Sequence, residues 1–132
     1  MKPQFHFLIS AIISIVFFFL TKNIVASLIC LSAGFLIDID HILDYSIIYK
    51  KFSLKKAMKG EWYKDKVYIL LHSWEILIII LIIFRLNIYT IAFAIGFVQH
   101  LIIDIFSYPT KNKPLAYFLT YRILTNFRGL CG

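Results

Sequence analysis

Four long apolar runs, Phe5 to Leu20, Ile24 to Ile37, Val67 to Phe84 and Ile88 to Phe106, occupy about half of this 132-residue chain. A helix needs about 20 apolar residues to cross a bilayer, so each run is near the length of one crossing. Hydrocarbon offers no partners for backbone polar groups, and a run that crosses it must therefore be helical. The length leaves room for one domain. A mean hydropathy of +0.82 is too apolar for an ordinary water-soluble domain. The expected fold is all-α: an integral membrane four-helix bundle with an interfacial basic connector and an amphipathic C-terminal tail. Spans fall at about 4–21, 24–41, 67–85 and 88–106, with the connector at 42–66 and the tail at 110–132.

The first run follows Lys2 and Pro3, as a signal peptide would. Its apolar core is too long for one, no small-residue cleavage site follows, and a second run begins at once, which predicts a span. His6, Ser10 and Ser14 recur every four residues and so share one helix face. Ala26, Cys30, Gly34 and Asp38 repeat the pattern in the second run, and Ala92, Gly96, His100 and Asp104 in the fourth. Small residues in such stripes let neighbouring helices approach closely, so both stripes are expected to face inward and to lead to an ionisable group. The second run reaches full crossing length only if its helix continues through Asp38-Ile39-Asp40-His41.

Charge sets the orientation. Of 14 lysines and arginines, only Lys22 and Arg85 fall outside when the amino terminus is cytoplasmic. Lys50, Lys51, Lys55, Lys56, Lys59, Lys64 and Lys66 crowd the connector beside Tyr49, Phe52, Trp62 and Tyr63, as expected of a surface-lying segment with lysines toward phosphates. The tail adds Lys111, Lys113, Arg122 and Arg128 among alternating apolar residues. The net charge of +7 is therefore expected to meet anionic lipid headgroups, and no nucleic acid is expected. Both termini are placed in the cytoplasm and the chain in the inner or plasma membrane, as a multi-pass protein.

With helices alternating in direction, His6, the Asp38–His41 cluster, His72, Glu75, His100 and Asp104 all fall at the cytoplasmic leaflet. Ionisable side chains at membrane depth are costly and generally functional. One histidine in a helix is more often a packing residue than a ligand; all four of the chain in one layer reverse those odds. His100 and Asp104 at i, i+4 can hold one ion, and His72 with Glu75 has the i, i+3 spacing used in carboxylate-bridged bundles. Asp38 and His41 share that spacing, and Asp40 then bridges or acts as base. Glu75 is either a base or a group that holds His72. Asp38 or Asp104 paired with an interfacial lysine is the bland alternative. Asp44 is expected to be a solvated partner of Lys50 or Lys51, and Ser73 a helix serine bonded to its own backbone. Imidazole and carboxylate without thiolate suit zinc first, then manganese or iron(II), as one or two ions. Cys30 and Cys131 form no disulfide framework and no thiolate metal motif.

An amino-terminal His, then Asp38-Ile39-Asp40-His41, His72-Ser73, and His100-x3-Asp104, resembles the membrane-bound, metal-dependent hydrolases of the inner-membrane-associated, LexA-binding type. The resemblance covers nearly the whole chain through short motifs. It implies a multi-pass membrane protein with a site distantly similar to zinc-dependent phospholipase C. It also implies ligand roles for His6, Asp38, His41, His72, His100 and Asp104, and a metal or base role for Asp40. Ile37 stands where the family usually has Pro, and Tyr68, Ile69 and Leu70 stand where it often has His-Arg-Gly.

The expected function is metal-dependent hydrolysis of a phosphoester in a lipid or membrane-associated substrate. The rivals are a non-catalytic membrane adaptor with a structural metal and a small metal-ion transporter.

Overall fold

The computed structural model describes residues 3–53, 57, 68–107 and 114–127. Every regular element among them is a helix. In order these are α1 (Pro3–Thr21), α2 (Ile24–Phe35), a 3₁₀ turn (Leu36–Asp38), α3 (Ile39–Tyr49), α4 (Trp74–Phe84), α5 (Ile88–Ser107), a second 3₁₀ turn (Leu115–Tyr117) and the short α6 (Leu119–Leu124).

Local chemistry sets the reversals between the long helices. After α1, Lys22 turns left-handed at φ 54° and donates its N–H to the Phe18 carbonyl at 2.7 Å. This is the usual way to close a helix whose last carbonyls lack partners. Asn23 then caps α2 by accepting the Ala26 N–H at 3.0 Å. Asn87 does the same for α5, accepting from Tyr89 at 2.9 Å and Thr90 at 3.1 Å.

Helix α2 lies at the centre, packed against both α1 and α5, and α4 packs on α5. The small-residue stripes are the reason it fits there. Ala26, Cys30 and Ala92 are fully buried. A Cβ on Gly96 would overlap the Cys30 carbonyl and stand 3.0 Å from the Gly34 N. A Cβ on Gly34 would collide with the Ser10 hydroxyl and stand 2.9 Å from Gln99 Oε1. Helices α2 and α5 therefore touch nearly backbone to backbone, with the Ser10 side chain of α1 packed against Gly34. Ser10 donates to Gln99 Oε1 at 2.9 Å and Ser14 to the Ser27 carbonyl at 2.5 Å, so the polar groups along this seam pair inside it.

Polar residues point inward and apolar ones outward. His6, Ser10, Ser14, Asp38, His72, His100 and Asp104 are buried, while Phe5, Leu8, Ile12, Ile15 and Phe19 on α1 are exposed. A water-soluble domain has the reverse arrangement. Three helical stretches, Gln4–Thr21, Ile24–Tyr49 and Ile88–Ser107, are long and apolar enough to cross a membrane.

The third apolar run departs from expectation. Tyr68–Ser73 is irregular, and the helix occupies only the 11 residues Trp74–Phe84. At about 1.5 Å per residue α4 reaches about half of the roughly 30 Å hydrocarbon thickness. A run such as Tyr68-Ile69-Leu70-Leu71 is apolar by composition, but its backbone groups bond to side chains of other elements. The second helix also outruns its expected end: after the 3₁₀ turn, α3 carries on to Tyr49, so residues 42–49 of the expected connector are helical. Lys50 and Lys51 are exposed. Lys55, Lys56, Lys59, Lys64, Lys66, Trp62, Tyr63, Lys111, Lys113 and Arg128 lie outside the described residues.

Candidate metal centre

The 3₁₀ turn at Leu36–Asp38 interrupts the second helix at the point where its stripe reaches Asp38. A short 3₁₀ stretch inside a longer helix often marks a functional position. Asp38 and His41 still face one another, with Asp38 Oδ1 3.5 Å from His41 Nε2. On α5, His100 and Asp104 lie on one face with His100 Nε2 3.4 Å from Asp104 Oδ2. Asp104 Oδ1 is 3.0 Å from His6 Nε2 on α1. His72 enters from the irregular segment before α4. Its Nε2 stands 3.8 Å from Asp38 Oδ1, 3.6 Å from Asp104 Oδ2 and 3.2 Å from His100 Nε2.

Six donor-bearing side chains from four separate segments thus meet in one buried cluster. Asp38, His41, His72 and Asp104 each offer an atom within 4.8 Å of the others, as do His6, His100 and Asp104. The two groups share Asp104, whose carboxylate oxygens face opposite ways. All six residues are buried, and buried groups of this kind could hold a metal ion.

Two features test whether the residues fit one. The first is spacing. Ligands at about 2.1 Å from a common tetrahedral ion stand about 3.4 Å from one another. The contacts among Asp38 Oδ1, His72 Nε2, His100 Nε2 and Asp104 Oδ2 run from 3.2 to 3.8 Å. The second is the direction of the ring nitrogens. His100 Nδ1 is 2.9 Å from the Gly34 carbonyl. A carbonyl can only accept, so Nδ1 carries a proton and Nε2 is the ring nitrogen that faces the cluster. His72 turns its Nδ1 toward Asp40 Oδ2 at 3.5 Å, which orients its Nε2 in the same way. Two imidazole nitrogens 3.2 Å apart, flanked by two carboxylates, form a set that a proton or a metal cation can bridge.

Asp40, expected as a base or bridge, lies beside the His72 ring and outside the two groups of possible ligands. Its Oδ2 accepts the Leu71 N–H at 2.5 Å and faces the back of the His72 ring. Such carboxylate–histidine pairs fix the tautomer and orientation of a ligand and affect metal affinity strongly. Asp40→Asn is accordingly expected to weaken zinc binding about 10- to 100-fold while the helices persist. Titration with a competing zinc indicator checks this, and unchanged affinity would remove Asp40 from the site.

Glu75 is not brought into the cluster. Its carboxylate accepts the N–H groups of Leu119 and Thr120 and the Thr120 hydroxyl, each at 2.9 Å, and so holds the start of α6. The expected His72–Glu75 ligand pair fails because His72 precedes the helix that Glu75 begins. Asp44 is buried, not solvated by Lys50 or Lys51, and accepts the Tyr68 N–H at 2.9 Å. Ser73 is the N-cap residue of α4, not a helix-interior serine, and its hydroxyl donates to the Leu70 carbonyl at 2.7 Å.

Arg122 is the residue sequence reasoning placed wrongly. Expected on an amphipathic tail lying on the membrane, it is 3% exposed. Its guanidinium donates to the Ile69 carbonyl, to the Ser73 hydroxyl and, at 3.2 Å, to the His72 carbonyl. Burial pushes its pKa below the usual arginine value, and the nearby carboxylates of Asp40, Glu75 and Asp44 oppose the shift. An arginine spaced among apolar residues gives no signal that separates this role from one at the membrane surface.

No family model matches the sequence, and no curated protein or solved structure matches it. The chemistry of the cluster is therefore the ground on which function can be argued.

Proposed function

We propose that this chain is an integral membrane hydrolase that uses a divalent metal, zinc first, to cleave a phosphoester in a lipid or membrane-associated substrate. The observation that carries the proposal is the meeting of His6, Asp38, His41, His72, His100 and Asp104 in one buried layer of a molecule with an apolar exterior. In a bilayer, α1, the α2–α3 stretch and α5 serve as crossings, and α4 completes a four-helix bundle as a shorter, partial span. The lysine-rich regions favour a cytoplasmic position for the cluster, at headgroup depth.

One or two ions bound there supply Lewis-acid polarisation of the phosphoryl oxygen and a water acidic enough to attack at neutral pH. The chain's own residues do the rest. His100, bonded to the Gly34 carbonyl, and His72, with its Nδ1 3.5 Å from Asp40, both turn their Nε2 atoms toward the cluster. Asp104 faces His6 with one oxygen and His72 and His100 with the other, so it would be a ligand beside either set of imidazoles. The apolar wall of Ile37, Leu77, Phe97 and Leu101 excludes bulk water from one side. The resemblance of the His/Asp motifs to membrane-bound metal-dependent hydrolases supports the same activity.

Conduction of ions is disfavoured by the close packing beyond the cluster. Ser10, Ser14, Cys30 and the two glycines fill the seam between α1, α2 and α5, where Ser10 bonds to Gln99 and Ser14 to the Ser27 carbonyl. The deciding experiment is metal content by mass spectrometry on detergent-purified protein, followed by a phosphoester screen with and without chelator. One or two ions per chain and chelator-sensitive hydrolysis are expected. Folded protein that stays metal-free after zinc and manganese loading overturns the proposal.

A further inference from the structure

The segment Tyr68–Ser73 brings His72 to the cluster without regular secondary structure to hold it. Side chains from two other elements hold it instead. From α3, Asp44 accepts the Tyr68 N–H and Asp40 accepts the Leu71 N–H. From α6, Arg122 donates to the carbonyls of Ile69 and His72 and to the Ser73 hydroxyl. The α6 end is itself tied down by Glu75 through Leu119 and Thr120, and by Phe127 packed 4.9 Å from the Tyr68 ring. Arg122 and Glu75 thus join the start of α4 to α6 on either side of His72.

We infer that Arg122 is a positioning residue for the metal centre: it sets the His72 backbone, and through it the direction of the His72 imidazole. The inference rests on the proposed metal-binding function. An anion-binding role for Arg122 is the obvious alternative. Its two terminal nitrogens are committed to protein oxygens, and three carboxylates lie near enough to influence it. Those carboxylates offset its charge and disfavour the approach of a phosphate. A guanidinium suits this task because its planar fork reaches several oxygens at once, which a lysine ammonium on a flexible stem does not. The carboxyl-terminal segment, which contributes no ligand to the cluster among the described residues, therefore controls whether His72 can be one.

The test measures zinc affinity of full-length protein in detergent for wild type, Arg122→Ala, Arg122→Lys, His72→Ala and the Arg122→Ala, His72→Ala double variant. Groups that orient a metal ligand typically contribute about 10- to 100-fold in affinity, which is the loss expected for Arg122→Ala; Arg122→Lys should recover only part of it. In the His72→Ala background the same change should alter affinity by less than about threefold, because residues acting through one another are non-additive. The cobalt-substituted protein should show a shifted absorption band in Arg122→Ala, a signature that a general loss of stability would not produce. Wild-type affinity in Arg122→Ala, or an equal loss in both backgrounds, overturns the inference. Should Arg122→Ala fail to fold, Glu75→Gln is read in the same cycle: a weaker loss confined to the His72 background supports the clasp, and an unchanged affinity overturns it. Wild type that binds no zinc defeats the metal reading itself, and this shows in the wild-type arm alone.

Discussion

Asp104→Asn is expected to weaken metal binding about 100-fold or more and leave the helices in place. The substitution keeps the shape of the side chain but removes the charge that faces His6 at 3.0 Å and His100 at 3.4 Å. Site free energies of about 10–16 kcal/mol, shared among roughly four ligands, assign a few kcal/mol to each one. A loss of about 100-fold or more in zinc affinity follows. Metal that binds only the native state also stabilises it, by about 2.7 kcal/mol at a hundred times Kd. At one zinc concentration, zinc should therefore raise the melting temperature of the wild type by more than that of Asp104→Asn. Without zinc the variant should melt somewhat lower than the wild type, because the contacts of the carboxylate with His6, His72 and His100 are weakened; the zinc-induced shift is therefore read within each protein. An Asp104→Asn protein that still takes up zinc with wild-type affinity would place the ions elsewhere.

Gly96→Val is expected to have the largest effect on folding. Even the first added carbon overlaps the Cys30 carbonyl and stands 3.1 Å from the Ala33 Cβ, and valine adds two methyl groups to it. Backbone atoms cannot turn aside as a flexible side chain can, so α2 and α5 must separate. Overpacking in a tight interior costs about 1–3 kcal/mol and sometimes more; at least about 3 kcal/mol is expected, because the obstacle is main chain. Separation would also break the 2.9 Å contact between His100 Nδ1 and the Gly34 carbonyl, which sets the His100 tautomer. Denaturation in detergent should show the lost stability, and zinc titration should show weaker binding in whatever fraction folds. A Gly96→Val protein with unchanged stability would mean that the helices do not approach as closely as described.

Much of the site was legible because helices repeat. Spacing of four residues brings Ala26, Cys30, Gly34 and Asp38 onto one face, and Ala92, Gly96, His100 and Asp104 onto another, with no reference to any partner. The small residues announce close approach and the ionisable ones end each stripe. His6 follows from the same rule through Ser10 and Ser14, which the structure buries with it.

Glu75, Asp44, Ser73 and Arg122 did not follow from any period. Glu75 was paired with His72 on the assumption that the apolar run from Val67 was helical throughout. Composition cannot reveal that the backbone of Tyr68–Ser73 is bonded to Asp40, Asp44 and Arg122 instead of to itself. Arg122 lies 50 residues from the His72 carbonyl it holds. The sequence alone determined that this chain forms apolar helices with inward stripes that carry histidine and aspartate, since those features depend on local spacing and the transfer free energy of side chains. The tertiary structure decided which carboxylates face the cluster, which merely support it, and that the carboxyl-terminal arginine closes over the segment bearing His72. Those choices depend on hydrogen bonds between residues far apart in the chain, whose formation is set by where the helices come to rest.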